Sequence, residues 1–192
     1  MKKGFTIIEV SILFVIFLIV AFLVAPLSLD DTMQAKNTLR WKNVQQDFIN
    51  ISHIINNQEE ETSEPFAVIF DSIFKNEIKE EIKPYKITFM NGTYPSNKYR
   101  FNEFKTTYAN ATVAFKLLEQ DGEEIRGVLL YDVNGKVGPN TWGKDVFGLN
   151  IYSDHFEPFG ASEPVNKQKE DCSKSGTGLF CSNYYLIGGN FD

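Results

Sequence analysis

FTIIEVSILFVIFLIVAFLVAPLSL, residues 5–29, decides the reading of this chain. Its only ionisable side chain is Glu9. A run this long and apolar predicts a transmembrane helix. A carboxylate inside such a span carries a penalty of about 2.5–3.5 kcal/mol on insertion scales, so it needs a partner. Nothing else in the run can pair with it. Lys2 and Lys3 precede the run and Asp30 and Asp31 follow it. The positive-inside rule then places the N-terminus in the cytoplasm and everything after the run outside. A secretory signal peptide fits poorly, because the apolar core is too long and the small residues between Ala21 and Ala25 are wrongly spaced for its cleavage site.

Lys2-Lys3-Gly4-Phe5-Thr6-Ile7-Ile8-Glu9 resembles the prepilin processing site of type IV pilins, type II secretion pseudopilins and competence pilins. The shared pattern is a short basic leader, a glycine, an aromatic residue, and glutamate fifth from that aromatic. The resemblance implies cleavage after Gly4 by a prepilin peptidase and N-methylation of Phe5. It also implies that Glu9 pairs with the terminal amine of a neighbouring subunit. Pro26 stands where the family often has a helix-bending proline. The implied organisation is a leader (1–4), a transmembrane and polymerisation helix (5–29) and an extracytoplasmic head (30–192). The implied partners are other pilin or pseudopilin subunits, the peptidase and an inner-membrane assembly platform. The destination is the cell envelope, as a single-pass membrane protein that later enters a filament.

The remaining chain is long enough for one domain with a real core. Its 17 Phe and 8 Tyr suit a folded head rather than a disordered tail. Loss of Lys2 and Lys3 would move the formal net charge from −6 to about −8, which disfavours a broad nucleic-acid surface. Cys172 and Cys181 are the only cysteines. In an oxidising compartment they pair, and closure of so short a loop stabilises by about 2–3 kcal/mol. The alternative is two reduced thiols.

Beyond the apolar run, Trp41, Val44, Phe48, Ile51 and Ile55 recur at alternating spacings of three and four. That is one face of a helix over about 33–56. No glycine interrupts 5–56, so the two segments read as one long helix. A second helix is predicted over 65–82, bracketed by Pro65 and Pro84 and carrying an apolar stripe that ends at Phe74. Strands are predicted over 85–90, 112–119, 124–133 and about 148–152. Gln120-Asp121-Gly122-Glu123 forms a hairpin turn between the middle two. After Asp154, glycine, serine and charge dominate. The fold class expected is α+β: a long transmembrane-plus-amphipathic helix on a small antiparallel sheet, pilin-like by resemblance, with a disulfide-closed C-terminal loop.

The stretch from Asp132 to Phe147 is the other place where chemistry is expected. Asp-x-Asn-Gly after a strand is a common start for a calcium loop, since hard cations take several oxygens from a tight turn. Asp132, Asn134, Asn140 and Asp145 are the candidate calcium ligands. Lys136 stands where a further ligand is expected, and no glutamate closes an EF-hand. The alternative is a glycine-rich turn in which Asp132 and Asn134 accept backbone N–H bonds. No catalytic motif accompanies His53 or His155, and the two cysteines lack the second pair of a zinc site. The chain therefore reads as a non-enzymatic structural subunit of a pilus or pseudopilus, in the minor class given its decorated head. The alternative function is a filament-associated adhesion or DNA-uptake pilin whose head recognises a ligand.

Overall fold

The computed structural model describes residues 7–62, 68, 72, 75, 78–107, 109–118, 125–152 and 155–190. Helix α1 runs Ile7–Thr62. The strands are β1 (Ile78–Ile82), β2 (Phe104–Thr107), β3 (Thr112–Leu117), β4 (Ile125–Asp132), β5 (Val146–Tyr152) and β6 (Phe156–Pro158). Two short helices follow, α2 (Val165–Asp171) and α3 (Cys181–Tyr184). The strands form one six-stranded antiparallel sheet in sequence order, β1 to β6. The chain divides into two compact units, Met1–Lys36 and Asn37–Asp192.

The transmembrane reading of 5–29 is corrected. Among the described residues no helix is long and apolar enough to cross a membrane. The fold class and the single-pass localisation that rested on such a span are corrected with it. Helix α1 is long, but it is not apolar along its length. From Thr32 onward polar and charged residues dominate its exposed surface.

The second unit follows the sequence pattern closely. Trp41, Phe48 and Ile55 are buried, and Val44 and Ile51 pack beside them, so the whole expected stripe of α1 faces the core. It lies with Val113, Leu129, Tyr131, Phe147, Leu149 and Ile151 in one cluster. Strand register explains the grouping: Val113 pairs with Tyr131 and Tyr131 with Phe147, and alternate residues of a strand share a face. The other parity places Ala114, Val128, Leu130 and Val146 in a second cluster with Trp142, Phe159 and Leu179. Both faces of β4 are therefore covered over residues 127–131, and that stretch carries no charged residue for that reason. Gly148 in β5 is needed by the second face. A Cβ there would meet the Phe159 ring at 2.2 Å, closer than any carbon contact allows.

The predicted helix over 65–82 is also corrected at its C-terminal end, since Ile78–Ile82 forms edge strand β1. A bulge between Ile78 and Glu80 shifts the pairing with β2. The extra residue reverses the pleat, so Ile78 packs on the first cluster and Ile82 on the second. In 85–90, predicted as a strand, a single bridge joins Thr88 to Thr141. The hairpin turn at 120–123 lies outside the described residues. The C-terminal segment is more ordered than its composition suggests. The Asp171 carboxylate accepts the Thr177 and Phe180 N–H groups at 2.9 Å each. Cys172 and Cys181 form a disulfide. Helix α3 is tied to both neighbours: the Trp41 indole donates to the Ser182 carbonyl at 2.8 Å, and the Gly148 N–H donates to the Ser182 hydroxyl at 2.9 Å.

Candidate functional site

The loop from Val133 to Asp145 leaves the end of β4 and returns as β5. Asp132, the last residue of β4, and Asp145, the residue before β5, are both fully buried. The Val133 N–H donates to the Asp145 carbonyl at 2.9 Å and closes the loop at its base. Gly135, Asn140 and Gly143 adopt positive φ within it, where glycine and asparagine are the residues tolerated most easily.

The four residues singled out in the sequence converge here. Both oxygens of Asp145 are occupied: Oδ2 accepts the Asn140 N–H at 2.8 Å and Oδ1 accepts the Thr141 N–H at 2.7 Å. Oδ1 of Asp132 accepts the Asn134 N–H at 3.2 Å. The Tyr85 hydroxyl donates to Asp132 Oδ2 at 2.5 Å. With its amide oriented to satisfy both ends, Asn140 donates to Asp132 Oδ2 at 3.3 Å and to the Gly135 carbonyl at 3.2 Å. The Asn134 side chain reaches Asp145 and favours its charged form.

The electrostatics follow from this enclosure. Burial pushes the Asp132 carboxyl up to about 8; the Tyr85 hydrogen bond opposes the shift, and the nearby Asp145 adds to it. Burial likewise raises Asp145, while the N–H groups of Thr141 and Asn140 pull it back. Tyr85 is raised by its own burial and then by the charge of Asp132. Two carboxyls of like charge share one dry pocket, which disfavours ionising both.

Calcium takes six to eight oxygens, and three converge here: Asn140 Oδ1, Asp132 Oδ2 and the Gly135 carbonyl face one another unless the Asn140 amide is reversed. The N–H groups of Asn134, Asn140 and Thr141 also donate to the two carboxylates. Among the described residues no group of three or more His, Cys, Asp or Glu is placed to hold a metal ion. Melting curves in calcium and in chelator separate the two arrangements: superimposed curves assign the site to a reversed Asn140 amide, and a rise of several degrees in calcium assigns it to the ion.

Tyr85 is the residue of this cluster that sequence reasoning missed. It lies 47 positions from Asp132, and no local spacing connects them. Among the other expected site residues, Gly4 and Phe5 lie outside the described residues. Glu9 and Pro26 lie within α1, with side chains outside the described set. His53 is exposed on α1 and His155 stacks on Tyr152 at 4.5 Å. The chain matches no protein family, no curated protein and no solved structure.

Proposed function

We propose that the chain is a pilin-like structural subunit of a type IV pilus or type II secretion pseudopilus, joined to its neighbours through the N-terminal part of α1. One observation carries this reading: Val10, Ile12, Leu13, Phe14, Val15, Ile16, Phe17, Leu18, Ile19 and Val20 are all exposed. A helix that is apolar on every side is stable in water when other apolar surface encloses it. Burial of a large apolar side chain stabilises by about 1.5–3 kcal/mol, so enclosure of this segment supplies a strong drive to associate. Equivalent helices of other subunits are suitable partners because they present the same surface at the same pitch.

The Lys2–Glu9 pattern supports the same reading by resemblance. Cleavage after Gly4 would expose the Phe5 amine, and Glu9 of an adjacent subunit could neutralise it. A subunit out of register would leave both charges buried and unpaired, an expensive arrangement. The filament grouping then follows from one short peptide and one exposed helix segment.

Co-expression with a prepilin peptidase tests processing. Intact-mass measurement should find a chain beginning at methylated Phe5; a chain still beginning at Met1 would overturn the assignment. Sheared filaments test assembly. Glu9→Ala should be cleaved normally yet enter filaments about tenfold less, as expected for loss of a buried charge pair. Incorporation at the wild-type level would remove Glu9 from any register role.

A further inference from the structure

Three asparagines stand two residues before a serine or threonine: Asn50-Ile51-Ser52, Asn91-Gly92-Thr93 and Asn110-Ala111-Thr112. This is the acceptor pattern for N-linked glycosylation. It arises often by chance, so the folded chain has to discriminate among them. A transferase that reads the pattern must reach the asparagine amide and the hydroxyl two residues on at the same time. Two of the three sites do not allow this. Asn50 and Ser52 lie inside α1, where residues two apart point to different faces. Ser52 is buried, and its hydroxyl donates to the Ile49 carbonyl at 2.7 Å. Asn110 is exposed, but Thr112 opens β3 and is only 1% exposed.

Asn91 meets both requirements. Between β1 and β2 the chain crosses through residues 83–103 with one short 3-10 turn, Asn97–Tyr99. Asn91 sits at a tight reversal in this crossing. The Phe89 N–H donates to the Thr93 carbonyl at 2.8 Å, and the Gly92 N–H donates to the Phe89 carbonyl at 2.9 Å. Gly92 takes φ +80°, which glycine adopts freely, and a Cβ there would meet nothing within 4 Å. Asn91, Gly92, Thr93 and Tyr94 are all exposed. Asn91 Oδ1 accepts the Thr93 N–H at 3.0 Å and the Thr93 hydroxyl at 2.6 Å. Amide and hydroxyl therefore touch, on one open surface. The base of the turn is fixed as well: the Met90 and Asn91 N–H groups donate to the Thr177 and Gly176 carbonyls at 3.0 Å each. The folded chain presents the whole acceptor pattern without opening.

We propose that Asn91 is a glycosylation site that takes its sugar from a glycosyl diphosphate. Asn91 Nδ2 attacks the anomeric carbon of the donor. A nitrogen–carbon bond forms as the bond from that carbon to the diphosphate oxygen breaks. The diphosphate leaves with the electron pair, and Nδ2 yields one of its two protons to a base of the transferase. A donor of this class is carried on a nucleotide or on a polyprenyl lipid, and both leave through the same bond. The product is a bulky, hydrated cap on this turn. The inference does not depend on filament assembly, and its test reads covalent mass alone.

The full chain is purified from its native cells in mild detergent, because of its exposed apolar segment, and mapped by peptide mass spectrometry. The peptide with Asn91 should carry an added sugar mass, and those with Asn50 and Asn110 should not. Two transfer reactions on the full recombinant chain then identify the donor: soluble extract of the same cells with a uridine-diphosphate hexose, and their membranes with a polyprenyl-diphosphate oligosaccharide. Transfer in either supports the site and names its source. Asn91→Gln should abolish transfer with unchanged melting curves. Thr93→Ala should lower it at least about a hundredfold, as expected when an enzyme loses a hydroxyl that it reads, and Thr93→Ser should retain it. An unmodified Asn91 in the native chain, Asn91 hydrolysed to aspartate without sugar, sugar on Asn50 or Asn110 instead, transfer that survives Thr93→Ala, or no transfer in either reaction would each overturn the proposal.

Discussion

Trp41→Ala should lower the unfolding free energy by about 3–5 kcal/mol, the range for removing a large aromatic side chain from a packed core. Trp41 is fully buried. It stacks on Phe147 with ring centres 5.0 Å apart and packs against Phe48 and Tyr131. Its indole N–H also donates to the Ser182 carbonyl at 2.8 Å, so alanine leaves a cavity and a buried acceptor without its donor. Helix α1, β5 and α3 all lose an anchor at once. With total stabilities of about 5–15 kcal/mol, that is a large fraction. Leu39→Ala, on the exposed side of α1 at 59% exposure, should change stability by less than about 0.5 kcal/mol. Urea unfolding of the two variants checks the contrast. A Trp41 variant as stable as wild type would mean that α1 does not contribute to the core of the second unit.

The second large effect is a pH dependence with an unusual sign. Asp132 in the folded chain is raised to about 8 from an ordinary 3.8. The folded state therefore holds this proton more tightly than the unfolded state does. Between these pH values the folded chain binds more protons, and linkage makes the contribution of this group decline as pH rises. It is fully present below about pH 3.8 and lost as pH climbs through about 8. Burial of Asp145 acts in the same direction. Asp132→Asn keeps an oxygen for the Asn134 N–H and removes the charge. At pH 9 the variant should exceed wild type by about 2–4 kcal/mol, taking ~1.4 kcal/mol per pKa unit and allowing for relaxation around the carboxylate. The difference should narrow as pH falls and vanish only below about pH 3.8. Thermal melts of both proteins from about pH 3 to about pH 9 measure the difference directly, so surface carboxylates common to both cancel. Parallel curves would show that Asp132 ionises without penalty.

The part of the fold most legible in the sequence was the stripe Trp41, Val44, Phe48, Ile51 and Ile55, because a helix face has a strict period and five matches leave little freedom. Strands β3 and β4 were legible for a similar reason: long apolar and β-branched runs, predicted as 112–119 and 124–133 and observed as Thr112–Leu117 and Ile125–Asp132. Legibility failed where an element is short or its pattern is supplied by a partner. Ile78–Ile82 reads as the charged end of a helix, but β2 offers it an edge, and a bulge sends its two isoleucines to opposite faces. Helices α2 and α3 have 7 and 4 residues, too few for a period to appear. The apolar run at 5–29 reads as a span from composition alone, a reading that the described part of α1 does not sustain.

For the candidate site, the sequence by itself determined that Asp132, Asn134, Asn140 and Asp145 belong to one tight loop. Their residue types and glycine spacing allow little else, because the backbone must turn and its N–H groups need nearby acceptors. What those oxygens face was decided by tertiary structure. The 83–103 crossing brings Tyr85 to Asp132 across 47 positions, and packing at the base of the loop buries Asp132 and Asp145 while its tip stays exposed. Burial converts two ordinary carboxylates into a pair that resists ionisation, because charge in a dry environment loses its hydration and like charges raise each other. Chain order sets which residues are available to such a site, and packing sets which of them meet, because contact between distant segments depends on how the sheet and its connections close.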